Sequence, residues 1–335
     1  MKILVTGGTG FIGGNVVVAL LQAGHRVEIL DDLSNSHREV LQEISEACGT
    51  MPHLHELPVS EVGRVLEGAE FDAVLHLASL KSVEDSVADP LEYYEKNLGG
   101  TIAVCRAAAQ HHVPRLIFSS SACVYGDNPH PDESTPPAPC SPYGHSKLFS
   151  ERIIQDACTA HDMSAVCLRY FNPAGAHKSG VLGDRPKRAP KNLMPLLCSA
   201  AQGETTLKVF GTQFPTADGS PVRDYIHVED LAAGHLAALS WLSGRPSGEC
   251  LTVNLGSGRG VSVFSMAGEM AHVCECEVRL ECCPPRAGDA PSYVADTSLA
   301  ETLLGWSPRL SLRSICQDAW NAYRRARCTP APARE

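Results

Sequence analysis

The sequence contains no apolar stretch of about 18 residues, the length a helix needs to cross a bilayer, so no membrane partner is expected. It also lacks a long apolar core near its start: Met1-Lys2 runs directly into the short segment Ile3-Leu4-Val5, which argues against an exported precursor and for a cytoplasmic protein. Positive charge is in deficit, 28 Lys plus Arg against 38 Asp plus Glu, for a formal charge of −10. Such a chain repels a polyanion unless its bases are locally concentrated, so no nucleic-acid partner is expected. The 28 Gly and 23 Pro form no repeat, which excludes fibrous and low-complexity architectures.

Cysteine, by contrast, is plentiful at 14 residues. The cysteines scatter from Cys48 to Cys328, several within helical or strand patterns, and read as reduced thiols. The densest group, Cys274, Cys276, Cys282 and Cys283, lacks two separated C-x-x-C knuckles and reads as small apolar side chains; no metal is expected. With 335 residues, 44% hydrophobic and 20% charged, the chain suits a soluble globular protein of two domains, or of one large domain with an appendage.

Short apolar runs at Lys2 to Thr6, Arg26 to Asp31, Ala73 to Leu77, Arg115 to Ser119 and Ala165 to Tyr170 read as buried parallel strands. Helical patterns at about Ile12 to Ala23, Pro90 to His111 and Tyr143 to His161 lie between them. Strand–helix alternation of this kind predicts an α/β fold, a Rossmann-type doubly wound parallel sheet with a smaller C-terminal α/β domain. The boundary is drawn where the alternation loosens: residues 1–171 form the first domain, 224–257 return to it through a helix and a strand, and 172–335 form the second. The Pro/Ala-rich tail from Thr329 is expected to fray.

Thr6-Gly7-Gly8-Thr9-Gly10-Phe11-Ile12-Gly13 follows the first strand and opens the first helix. There, glycines let the backbone approach a pyrophosphate, and the helix N-terminus offers N–H groups and a positive dipole end. The spacing G-x-x-G-x-x-G is a variant of the dinucleotide fingerprint. Asp31 ends the second strand, where a carboxylate can accept hydrogen bonds from a ribose, and the adjacent Asp32 would repel a 2′-phosphate. The cofactor expected is therefore NAD.

Tyr143 and Lys147 are four residues apart at the start of a helix and project from one face. A free phenol is a poor base at neutral pH, but a nearby ammonium favours the phenolate, so the pair is expected to make a usable proton acceptor. Ser119-Ser120-Ser121 ends a predicted strand, at the sheet edge where ligands bind, and offers a hydroxyl to a substrate oxygen. Each pattern alone is common; their order and company make them specific.

These motifs, with Pro90-Leu91-Glu92-Tyr93-Tyr94, Val124-Tyr125-Gly126, Ser141-Pro142-Tyr143-Gly144, Arg169-Tyr170-Phe171-Asn172-Pro173, Asn192-Leu193-Met194-Pro195 and Arg223-Asp224-Tyr225-Ile226-His227-Val228, resemble the extended short-chain dehydrogenase/reductase superfamily and, within it, the UDP-glucose 4-epimerases. The resemblance spans nearly the whole chain. It implies a tightly held NAD that takes and returns one hydride, a UDP-hexose substrate, and inversion at C4 through a 4-keto sugar. Tyr143 would take the proton, Ser121 would hold the oxygen, and Lys147 would tune Tyr143 and hold the nicotinamide ribose. The first domain would then bind NAD and the second the UDP-sugar.

By the same resemblance, Gly7, Gly10, Phe11, Ile12, Gly13, Asp31, Asp32, Asn35, Ser36, Leu77, Ala78, Lys81, Asn97, Ser119, Tyr143, Lys147 and Tyr170 would contact the cofactor. Ser121, Ala122, Cys123, Tyr143, Phe171, Asn172, Asn192, Leu193, Phe210, Arg223, Tyr225, Arg286, Asp289 and Tyr293 would contact the substrate. Arg223 and Arg286 are the forked cations a diphosphate favours. Asp224 and His227 read instead as structural hydrogen-bonding groups near a turn. A bulky ring at Tyr293 is expected to favour UDP-glucose and UDP-galactose over N-acetylated sugars.

Related enzymes that dehydrate or decarboxylate the keto sugar carry an acidic residue after the serine strand, and here Ala122-Cys123 stands there, which ranks epimerisation first. The chain departs from the family at Pro58, where an Asp is usual, with Leu57 and Val59 beside it. It departs also at Ser79 for Gly, Gly99 for Asn, Cys123 for Thr, and in a shorter segment between Gly126 and Tyr143. The helices at Pro90 to His111 and Tyr143 to His161 resemble a four-helix dimer interface, so a homodimer is expected. The competing readings are an epimerase of another nucleotide sugar, such as a UDP-N-acetylhexosamine or UDP-uronate, and a non-catalytic NAD-binding scaffold or cysteine-based redox sensor.

Overall fold

The computed structural model describes residues 1–187, 189–286 and 289–328; the tail expected to fray from Thr329 lies outside the described residues. The first half runs β1 (Lys2–Thr6), α1 (Phe11–Gln22), β2 (Arg26–Leu30), α2 (Val40–Cys48), β3 (His53–His55), α3 (Val62–Leu66), β4 (Ala73–His76), α4 (Val83–Ala88), α5 (Pro90–Gln110), β5 (Arg115–Ser121), α6 (Pro142–Ala160) and β6 (Ser164–Tyr170). The second half continues with β7 (Asn172–Ala174), α7 (Leu193–Ala201), β8 (Leu207–Phe210), β9 (Val222–His227), α8 (Val228–Ser243), β10 (Cys250–Leu255), β11 (Gly260–Ser262), α9 (Val263–Cys274), β12 (Leu280–Cys283), β13 (Ser292–Tyr293) and α10 (Leu312–Cys328).

Seven parallel strands form the main sheet in the order β10-β6-β5-β4-β1-β2-β3. The central strands are apolar on both faces because helices cover both. Ile3 and Val5 of β1 pack with Val16 and Leu20 of α1 and Leu231 and Leu239 of α8. Leu4, between them, points the other way and joins Val104 of α5 and Ile154 of α6. This is the Rossmann-type sheet that the alternation of the sequence implies. The strand order reverses beside β1, so the carboxyl ends of β1 and β4 open a crevice there.

The start of each helix near the crevice is fixed by the local sequence. Ser82, Asp89 and Ser141 cap α4, α5 and α6, each side chain accepting a bond from the backbone N–H three residues on. Pro90 and Pro142 occupy the first helical position, where a missing N–H costs nothing. Ser141 therefore sets the turn from which Tyr143 projects.

The second layer is built on β9, which pairs with β7 and β13 in parallel and with β11 antiparallel, while β8 pairs with β12. Leu197 of α7, Met266 and Met270 of α9 and Ile315 of α10 fill its core. Of the stretch 224–257 read as returning to the first domain, α8 and β10 lie with the large sheet and β9 with the small one. The fourteen cysteines are all free. Among the described residues, no helix is long and apolar enough to cross a membrane.

Candidate active site

The loop between β1 and α1 is a cradle that side chains would fill. Gly7 has φ +73°, and a Cβ there would lie 2.8 Å from the Ala78 nitrogen; a Cβ on Gly13 would lie 2.0 Å from the Gly7 carbonyl oxygen. Gly10 caps α1 without a side chain, and no acidic residue stands in the first turn. The N–H groups that Phe11 and Ile12 bring to the helix start are thus offered to an anion by a twelve-residue helix. These features fit the diphosphate of a dinucleotide.

Asp31 closes the far side of the loop. Its carboxylate accepts hydrogen bonds from Thr9 N at 3.1 Å, Leu33 N at 3.0 Å and the Ser36 hydroxyl at 3.1 Å. Three bonds leave it acceptor capacity for a ribose hydroxyl. Asp32 accepts from Ser34 N, and Asn35 lies between Ser34 and the buried Ser36 on the same turn.

Leu77 and Ala78 follow β4, directly opposite the glycine loop, and Ala78 N donates to Thr6 Oγ1. Beyond them, two residues expected at the cofactor are spent on the protein itself. Asn97 accepts from Leu80 N at 2.8 Å and donates to Leu80 O and Ser146 Oγ, so its amide braces the 77–81 loop against α6. The Tyr170 hydroxyl is bonded to His235, which leaves its ring, not its oxygen, for a ligand. Lys81 is exposed.

Three side chains meet at the carboxyl end of β5. Tyr143 is 9%, Lys147 2% and Ser121 8% exposed. Lys147 Nζ donates to Ser119 O at 2.7 Å and to Ser79 Oγ at 2.9 Å, and lies 4.9 Å from the centre of the Phe118 ring. Burial lowers its pKa to about 7, opposed by the negative charge of Glu151. Burial likewise drives the Tyr143 phenol above its ordinary range, with Cys123 adding to the rise and a hydrogen bond with Ser121 working against it. The expectation is that Lys147 favours the phenolate of Tyr143; its Nζ stands 5.8 Å from the Tyr143 ring centre and donates to Ser79 and Ser119.

The candidate substrate residues form a second group facing this edge. The Tyr293 hydroxyl donates to the Ala122 carbonyl, and its ring lies 5.4 Å from that of Phe171. Strand register puts Asn172 beside Tyr225, and Arg223 beside Tyr293. Arg286 stacks on Phe210 at 4.9 Å and donates to Asp289 at 3.0 Å, while Arg223 lies 3.7 Å from the same carboxylate. Phe210, Arg223, Arg286 and Asp289 thus make one cationic–aromatic cluster. Asn192 ends the preceding loop, bonded to Asp184 at 2.7 Å, and Leu193 begins α7.

Asp224 is fully buried and accepts from Ser257, Gly258 and Ala295, and His227 caps α8 and bonds Asp318; both are structural in geometry. Sequence reading missed Glu151, whose carboxylate joins Ser120 and Arg169 beneath the site, and it noted Ser79 only as a departure. Glu151 could have been found from its spacing, two helical turns past Tyr143 on the same face.

An enzyme that couples a dinucleotide to proton transfer at a hydroxyl is the class that this fold and site define. A family model for the NAD dependent epimerase/dehydratase family matches residues 3–256. The UDP-glucose 4-epimerase of Yersinia pestis is 43% identical over 329 residues, covering 96% of this chain and 97% of that one. A crystal structure of the UDP-glucose-4-epimerase from Stenotrophomonas maltophila, with bound NAD and formylated UDP-arabinopyranose, superposes with a TM-score of 0.94 at 39% identity, covering 98% of this chain and 100% of that one. The enzyme from Bifidobacterium longum, in complex with NAD+ and UDP, gives 0.92 at 38% identity, covering 97% and 98%. The chain belongs to the NAD dependent epimerase/dehydratase family. It is an epimerase, an isomerase-type enzyme, and NAD is its cofactor.

Proposed function

We propose that this chain interconverts UDP-glucose and UDP-galactose by inverting C4 through a 4-keto sugar. The observation that carries the reading is the meeting of Tyr143, Lys147 and Ser121 at the crevice beside the glycine loop, with Ala122-Cys123 and no acid following the serine strand. NAD, when bound, supplies a hydride acceptor and donor and, in its oxidised form, a positive charge. Gly7, Gly10, Phe11, Ile12 and Gly13 would hold its diphosphate, Asp31 its adenosine ribose, and Ser119 with Lys147 the nicotinamide end.

Tyr143 takes the proton of the sugar 4-hydroxyl and returns it after the keto sugar has turned over. Ser121, bonded to the phenol, orients both oxygens, and Lys147 supplies positive charge behind them. Arg223 and Arg286 bind the diphosphate, with Asp289 holding the pair in place and Phe210 supporting Arg286. Tyr293, tied to the Ala122 carbonyl, narrows the sugar pocket and favours an unsubstituted 2-hydroxyl. A homodimer through α5 and α6 is supported by Leu91, Ile102 and Phe149, apolar side chains left 76%, 38% and 46% exposed on those helices. A cytoplasmic setting suits fourteen free thiols.

The test is direct. Purified protein given UDP-galactose and no added cofactor should release UDP-glucose; an inert protein that nevertheless carries NAD would favour a scaffold.

A further inference from the structure

Beneath the candidate catalytic group lies a buried set of charges that the reaction as described does not use. Helix α6 presents Tyr143, Lys147 and Glu151 at successive turns of one buried face. Consecutive residues of β5 grip them in turn: the Ser121 hydroxyl meets Tyr143, the Ser119 carbonyl accepts from Lys147, and the Ser120 hydroxyl donates to Glu151. Arg169 lies beside Ser120 on the neighbouring strand and closes a forked pair on Glu151, with Nε 2.9 Å from Oε1 and Nη2 2.6 Å from Oε2. Its guanidinium stacks on Tyr125 at 4.6 Å, and Tyr125 is held by Asn254 at 2.7 Å. Glu151 is thus fixed on every side, at 7% exposure.

A buried carboxylate with a forked arginine is not there for stability alone, since such a pair often contributes no more than apolar residues of the same volume. We propose that Glu151 is a positioning residue whose fixed negative charge keeps Lys147 an ammonium while Arg169 and Ser120 hold that charge in place; this rests on the reading of Tyr143 and Lys147 above. Lys147 is otherwise poorly provided for. Around it are the neutral Ser79 and Ser119, the Phe118 ring, the Cys123 thiol and, on β4, His76, so Glu151 is the carboxylate set against its burial. Facing Glu151 are Arg169 and Cys167 of β6 and Ser120 of β5, and Glu133 acts on the outer side of Arg169 and Tyr125.

The charge arrangement predicts two displacements of opposite sign. Glu151→Gln removes the anion and leaves Arg169 unbalanced, so Lys147 should lose its proton at lower pH, by about one unit or more. Arg169→Gln leaves the anion uncompensated, so Lys147 should keep its proton to higher pH. Protein bearing 13C at lysine Cε reads this directly, with the Lys147 resonance identified by its loss in Lys147→Met. The alkaline limb of kcat for UDP-galactose should move in the same two directions.

Should Glu151→Gln fail to fold by near-ultraviolet circular dichroism, Glu151→Asp keeps the charge: turnover and the Lys147 titration should both stay near the parent's. Variants that lose turnover with the titration unmoved, or moved in one common direction, would overturn the proposal. So would a displaced titration in Glu151→Asp. Tyr143→Phe separates the two levels of argument. Full turnover in that variant sinks the functional reading, whereas its inactivity together with unmoved Glu151 and Arg169 variants sinks only this inference.

Discussion

At the scale of single residues, Tyr143 is the proposed proton acceptor, and its surroundings say what limits it. Burial disfavours the phenolate, Ser121 favours it, and the Lys147 nitrogen stands 5.8 Å from the ring centre. Deleting the hydroxyl in Tyr143→Phe leaves the nucleotide cradle untouched. That variant should keep bound NAD, measured by release on denaturation, and lose about 10²- to 10⁴-fold in turnover; near-parental turnover would refute the assignment. Tyr143, Lys147 and Ser121 were legible in the sequence because Tyr-x-x-x-Lys and a strand-end serine are local patterns. Arg169 and the committed amide of Asn97 were not, since their roles arise from partners 18 and 49 residues away that only the folded chain brings near.

Among the elements, the turn from β1 into α1 does most to define the site. The Gly7–Gly13 approach is so close that a methyl group at position 13 has no room. Gly13→Ala should therefore shift the loop and shed NAD, seen as loss of cofactor on gel filtration; a variant that retains it in full would contradict the cradle. This element was readable in advance, as were the central strands, because near-continuous apolar runs bounded by turns leave few alternatives. The strands β3, β11, β12 and β13 were not, at two to four residues each. Strands that short carry no periodicity of their own, and their pairing is set by the neighbour each one meets. For α5 and α6 the exposed Leu91 and Phe149 define an apolar face. Light scattering should report a dimer that Phe149→Glu dissociates; a monomeric parent protein would remove the interface.

For the whole molecule, two buried imidazoles contribute to the response to acid. His235 donates from Nδ1 to the Leu231 carbonyl and accepts from the Tyr170 hydroxyl, and His76 is bonded to Thr6; burial lowers their pKa values to about 4 and about 3. Both stay neutral in the folded protein while the unfolded chain takes up protons below about 6.5. Their stabilisation is complete above that pH and is lost as pH falls toward the folded values, each costing about 1.4 kcal/mol per unit. Urea unfolding should show stability falling between about pH 6.5 and 5, before ordinary carboxylates titrate; a flat profile would mean that these rings are not held neutral.

The reaction as proposed oxidises one carbon and reduces it again within one active site, with Tyr143 handling the proton and NAD the hydride. UDP-galactose carrying deuterium at C4 tests it most directly. The UDP-glucose formed should keep its deuterium at C4 in full, with none passed to water. Loss of the label to solvent would mean that the C4 hydrogen leaves as a proton and that no hydride passes through NAD.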